Sequence, residues 1–139
     1  MNIFFTGSIR GGRDDQPTYE HIVRVLEKYG VVSSRQIADE TLSTYGETNI
    51  PNKEILAREL AALEKSDIVV AEVTTPSHGV GYMIARATAL GKKVVALHRG
   101  DYALKLSGII QGDPRVNLSV YESEAQIDSL LAAVLGGKT

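Results

Sequence analysis

The chain contains no cysteine and no tryptophan, and only two phenylalanines and four prolines among 139 residues. Without cysteine there is no disulfide framework, no thiolate chemistry and no thiolate metal site. An excess of one charge is missing too, because 15 basic residues face 17 acidic ones and leave a formal net charge of −2. That balance gives no electrostatic footprint for nucleic acid or an anionic membrane, so neither is expected as a partner. No apolar run approaches the roughly 18 residues of a membrane span. The opening MNIFFTGSIRGG turns polar too soon for a signal peptide. A cytoplasmic protein is the expectation.

What is present is an ordinary globular composition, on a length that suits one domain over residues 1–139 with a single core. Short β-rich apolar runs alternate with helical patterns. Asn2–Thr6 reads as a strand. Pro17 then sits where a first helical turn tolerates it, Tyr19, Ile22, Val23 and Leu26 recur at helical spacing, and Gly30 closes the segment. Val31–Ser34 is a second strand, and Ala38 to Asn49 reads as a polar surface loop. Pro51 opens a helix with the stripe Leu56, Leu60, Leu63. Asp67–Val73 is a third strand whose unbroken apolar character predicts burial on both faces.

A helix from about Gly79 carries the stripe Val80, Met83, Ile84, Ala87, Leu90. Lys92–His98 is a fourth strand, a short helix is expected around Tyr102–Ile110, and Val116–Tyr121 is a fifth strand. Ser123 with Gln126 forms a capping box for a last helix ending at Gly136. Strands alternating with helices predict an α/β fold, a five-stranded parallel sheet that is doubly wound and flavodoxin-like, in the order 2-1-3-4-5.

Ligands of such sheets bind beyond the carboxyl ends of the strands where strand order reverses. Here that edge carries GSIRGGRDD (Gly7–Asp15) and TTPSHGVG (Thr74–Gly81). Glycines admit backbone amides to an anion, a helix N-terminus adds a favourable dipole, and Ser8, Arg10 and Ser77 add donors. GSIRGG is not a P-loop, and GVGYMI has Ile84 where a dinucleotide fingerprint has its third glycine. His21, His78 and His98 lack metal-ligand spacing, so no metal is expected. His78 and His98 are candidates to touch a ligand, while His21 reads as a residue at the solvent edge. Asp14 and Asp15 lie too far past β-strand one for a phosphoacceptor pair, and Glu72 is either a buried acid or a solvated one at a strand end.

GSIRGG, SDIVVAEVTTPSHGVGY, ALGKKVVAL and LSGIIQG together resemble the 2'-deoxynucleoside 5'-monophosphate N-glycosidases, relatives of the nucleoside 2-deoxyribosyltransferases. The resemblance covers nearly the whole chain. It implies hydrolysis of the bond between base and deoxyribose 5-phosphate, in a homodimer and without a cofactor. It places the 5'-phosphate and sugar against Gly7, Ser8, Ile9, Arg10, Gly11, Ser77 and Gly79, with Ser107 supplied by the partner subunit.

The resemblance also implies three chemical positions, and the chain departs at each. The nucleophilic glutamate is replaced by Met83, an assisting aspartate by Glu59, and a tyrosine by Phe4. A thioether has no charge and no proton to exchange, so the group that would carry a covalent intermediate is absent. Two readings follow. One is an N-glycosidase that is silenced or relies on Glu59 as substitute carboxylate; the other is a deoxynucleotide-binding protein without turnover. A deoxyribosyltransferase is a third, weaker reading, since it also needs the covalent intermediate.

Overall fold

The computed structural model describes residues 1–136. Strands β1 (Asn2–Thr6), β2 (Val31–Ser33), β3 (Ile68–Glu72), β4 (Lys93–Arg99) and β5 (Val116–Tyr121) form one sheet in the order β2-β1-β3-β4-β5. Every adjacent pair is parallel, with Phe4 beside Ser33 on one side and Val69 on the other. The doubly wound order predicted from the alternation of elements is the one observed.

Parallel strands need covering on both faces, and the alternation of side chains divides the core accordingly. One layer packs Ile3, Phe5, Val70, Val95 and Leu97 under α1 (Gln16–Leu26) and α5 (Glu124–Leu135). The opposite layer packs Phe4, Val69, Ala71, Val94 and Ala96 under α2 (Asn52–Lys65) and α3 (His78–Ala89). Central β3 is buried at all five positions, as its apolar run required. Its last residue, Glu72, is buried as well, which decides between the two environments open to it.

Several local choices have visible causes. Ser123 accepts from the Gln126 amide at the start of α5, while the Gln126 side chain reaches back to the Glu122 amide. Gly30 abuts the Met1 carbonyl, where an added Cβ would come within 2.2 Å, so only glycine lets the chain enter β2 alongside β1. A 3-10 turn (Arg35–Ala38) leads into the irregular segment that ends at Pro51.

The structure corrects three expectations. The short helix is α4 (Gly108–Gly112), later than Tyr102–Ile110. Gln111 donates to the carbonyls of Tyr102, Ala103 and Leu106, satisfying a turn there without a helix. Leu56 and Leu90 were assigned to apolar stripes, yet they are 43% and 49% exposed. Leu90 lies past the last turn of α3, and Leu56 lines a cleft instead of the core.

Candidate active site

Strand order reverses between β1 and β3, and the loops after these strands meet there. The meeting is tight. A Cβ on Gly11 would lie 2.2 Å from the Pro76 carbonyl oxygen and 2.7 Å from Ser8 Oγ, so the first loop rests directly on the second. Tyr19, wholly buried on α1, accepts the Ser8 amide through its hydroxyl at 3.0 Å. Burial pushes the Tyr19 phenol well above its ordinary pKa, so it stays protonated.

Arg13 spans three segments from beneath. It donates to the carbonyls of Ser8 at 3.2 Å, Leu42 at 3.0 Å and Asp39 at 2.9 Å, with its guanidinium 5.9 Å from the Tyr19 ring centre. Desolvation lowers its pKa from the usual arginine value, and the carbonyls it touches hold the cation in place. Arg10, more exposed, reaches the Tyr45 carbonyl at 3.4 Å.

Ser77 opens α3 as its N-cap, its hydroxyl accepting from the Val80 amide. The amides before Val80 have no partner within the helix and face outward with the positive end of its dipole. Ser8 is wholly buried, and its hydroxyl has no hydrogen-bond partner among the described residues. A buried hydroxyl left unpaired is costly in a protein interior. It lies beside the glycine-rich loop, under the position a Cβ on Gly11 would take, and close to the N-terminus of α3.

These elements border a cleft of about 750 Å³. Of the positions named from the sequence, Phe4, Gly7, Ile9, Arg10, Gly11, Glu59, Ser77, Gly79 and Met83 all line it, and Ser8 lies beneath. His78 lines it too, whereas His98, buried at the end of β4 with its Nδ1 on the Gly100 carbonyl, does not. His21 is half-buried between α1 and α5, with Nε2 2.6 Å from Asp128. Ser107 caps α4 through the Ile109 amide, stands exposed, and is outside this cleft.

The wall opposite the loops has a different character. Met83 and Phe4 are 8% and 1% exposed and belong to the core layer beneath α2 and α3. Glu59 lines the cleft with them, as does Glu47, and the Glu59 oxygens already accept three donors. Gln36 Nε2 donates to it at 2.7 Å, Arg58 at 2.8 Å, and the Ser34 hydroxyl also donates to it. Arg58 in turn grips both oxygens of Glu47, at 3.0 and 2.5 Å, which raises its already high pKa. Ser34 is held at φ 61°, the only left-handed non-glycine residue among those described. Strain of that kind persists where surroundings fix it, here the Glu59 contact.

Ser34, Gln36, Tyr45, Glu47 and Arg58 were missed from the sequence. Ser34 and Gln36 reach Glu59 from the turn after β2, Arg58 reaches it from α2 and ties in Glu47, and Tyr45 meets Arg10; no periodicity links these segments.

The family model for nucleoside 2-deoxyribosyltransferase matches residues 3–129. A 5-hydroxymethyl-dUMP N-hydrolase of Danio rerio is 45% identical over 112 residues, covering 81% of this chain and 78% of that protein. One of Rattus norvegicus is 40% identical, covering 99% and 89%. A putative 2'-deoxynucleoside 5'-phosphate N-hydrolase of Trichoplax adhaerens is 45% identical, covering 80% and 75%. Among solved structures, the CMP N-glycosidase BcmB of Clostridium botulinum superposes with a TM-score of 0.67 at 18% identity, over 96% of this chain and 99% of that one, a likeness of fold.

Proposed function

The chain belongs to the nucleoside 2-deoxyribosyltransferase family, and from that premise we propose that it binds 2'-deoxynucleoside 5'-monophosphates and has the frame of an N-glycosidase acting on them. The observation that carries this reading is the unpaired, buried Ser8 hydroxyl set between a glycine-rich loop and the N-terminus of α3. The 5'-phosphate lies against Gly7, Ser8, Ile9, Arg10, Gly11, Ser77 and Gly79. The sugar and base extend along the apolar wall toward Glu59 and Tyr45.

Hydrolysis adds water oxygen to the anomeric carbon, while the glycosidic electron pair leaves with the base nitrogen, which takes up a proton. The transition state resembles an oxocarbenium ion and needs a carboxylate beside it. Met83 supplies none, and Glu59 already accepts three donors. A carboxylate so engaged is a fixed acceptor for a ligand hydroxyl and a poor nucleophile. This favours a second reading in which the chain holds its nucleotide without turning it over.

Free-base release from a panel of these nucleotides, followed by chromatography for the chain and for Met83→Glu, separates the two readings. Release only by the variant identifies a competent fold silenced at one position. Release by the unaltered chain points to Glu59, and then Glu59→Gln abolishes it while nucleotide still binds. Calorimetry that detects no nucleotide binding at all would remove both readings.

The substrate for which the relatives are named, 5-hydroxymethyl-dUMP, makes a modified pyrimidine nucleotide the first ligand to try. The active form is a homodimer in which the partner's copy of Ser107 completes the phosphate site. Its exposure, and the exposed Leu104 and Ile109 around it, support this. No helix among the described residues is long and apolar enough to cross a membrane, and the location proposed is cytoplasmic.

A further inference from the structure

Two carboxylates stand behind the cleft with no part in the chemistry above. Glu72, the last residue of β3, is wholly buried, and Asp15, just before α1, is 4% exposed. Buried carboxylates persist only where their oxygens are matched, so their partners are informative.

Asp15 Oδ2 accepts the Thr75 hydroxyl at 2.8 Å, and Oδ1 pairs with the Arg99 guanidinium at 2.7 Å. Glu72 accepts the Thr74 amide at 2.6 Å, the Thr74 hydroxyl at 2.9 Å, and the Tyr121 hydroxyl. Thr74 Oγ1 in turn accepts the Arg99 amide at 2.9 Å. Two carboxylates therefore grip consecutive threonines of one loop, and Arg99 braces both from β4. Immediately downstream, Pro76 presents the carbonyl that meets Gly11, and Ser77 caps α3.

We propose that Asp15 and Glu72 are positioning residues for the ligand's phosphate, acting through Thr75 and Thr74 to set the Pro76–Ser77 turn over Ser8 and Gly11 before the ligand arrives. The inference rests on the nucleotide reading above. Near a phosphate dianion, two carboxylates are unfavourable on charge alone, so their placement is explained by what they hold. Donors serving an anion through amides and hydroxyls must be preset within a few tenths of an ångström, and a loop left to order itself on binding loses affinity. Arg99 offsets one of the two charges, and its proton is held more tightly by the Asp15 contact.

The test titrates the unaltered chain, Thr75→Val, Thr75→Ser and Asp15→Asn with two ligands by calorimetry. One ligand is a 2'-deoxynucleoside 5'-monophosphate and the other is the same nucleoside without phosphate; melting temperatures are read alongside. Thr75→Val and Asp15→Asn should weaken the nucleotide about tenfold, the scale of one charge-assisted hydrogen bond. The nucleoside should stay within about twofold in both variants. Thr75→Ser, which keeps the hydroxyl, should restore nucleotide affinity.

Parallel losses for both ligands would mean a merely structural role and overturn the proposal. So would undiminished nucleotide binding by Thr75→Val, or a Thr75→Ser variant as damaged as Thr75→Val. If Asp15→Asn does not fold, the Thr75 pair decides alone. Failure of the unaltered chain to prefer nucleotide over nucleoside would remove the phosphate reading itself. Intact preference in the unaltered chain and in every variant would overturn only the positioning role.

Discussion

The two ends of the cleft are built by opposite means. At the loop end, Tyr19 and Arg13 hold the backbone of Ser8, Asp15 and Glu72 hold Thr75 and Thr74, and one hydroxyl is left unpaired among the described residues. At the helix end, Met83 and Phe4 are core residues, and Glu59, which lines the cleft with them, has its donors already in place. The loop end leaves one buried hydroxyl unpaired among the described residues, whereas the Glu59 carboxylate at the helix end accepts three donors. In the reading proposed above, binding and turnover rest on separate residues and can be lost separately.

Placing a carboxylate at the helix end should give the largest change. Met83→Glu should raise base release by at least about a thousandfold, the order of effect seen when a nucleophile is removed from an enzyme. Because Met83 is 8% exposed, the same change should also lower the melting temperature. A rate that does not move would show that the apolar wall is more than a missing carboxylate.

Damage to the loop end should act on affinity. Gly11→Ala puts a Cβ against the Pro76 carbonyl and Ser8 Oγ. Overpacking of about 2 kcal/mol is expected there, read as a lower melting temperature, with weaker nucleotide binding by calorimetry as the two loops move apart. Arg10→Ala is milder, since Arg10 makes one long contact to Tyr45 and is free to turn to a phosphate. About tenfold weaker binding is expected, with less dependence on salt, as one exposed cation is lost.

The smallest effect concerns pH. Burial raises the Glu72 pKa above the ordinary glutamate value, while the Tyr121 and Thr74 hydrogen bonds pull it back only in part. The folded state then binds its proton more tightly than the unfolded chain does. That contribution is present below the unfolded pKa and is lost as pH rises through the folded one. Glu72→Gln should flatten this decline, so chemical denaturation should show the variant gaining on the unaltered chain as pH rises from acid toward neutral. A constant difference across that range would place Glu72 among carboxylates of ordinary acidity.

The fold was legible because its signals are local. Gly30, Pro17, Ser123 and the unbroken Ile68–Glu72 run each specify one boundary or one environment. Motif residues after β1 and β3 were legible for the same reason, since strand ends and glycines announce them. What stayed hidden is contact between distant turns. Ser34 and Gln36 reach Glu59, and Asp15 reaches Thr75 and Arg99, across intervals that no periodicity spans. Leu56 shows the converse failure: its spacing marks the apolar face of α2, but the neighbouring surface at that level is open cleft.

Strand β1 begins at residue 2 and lies inside the sheet, paired with Val31 on one edge and with Ile68 on the other. On the ribosome this strand is made before either neighbour. Helix α1 and β2 can cover Ile3 and Phe5 and one edge early, but the edge that pairs with β3 offers unpaired backbone until the polypeptide has grown past Glu72. Folding thus waits on contacts far apart in sequence, which slows the search and exposes the nascent chain to aggregation. The polar loop that follows β1 directly, from Gly7 to Asp15, interrupts the apolar segment and limits that hazard, a service to biogenesis distinct from whatever it binds.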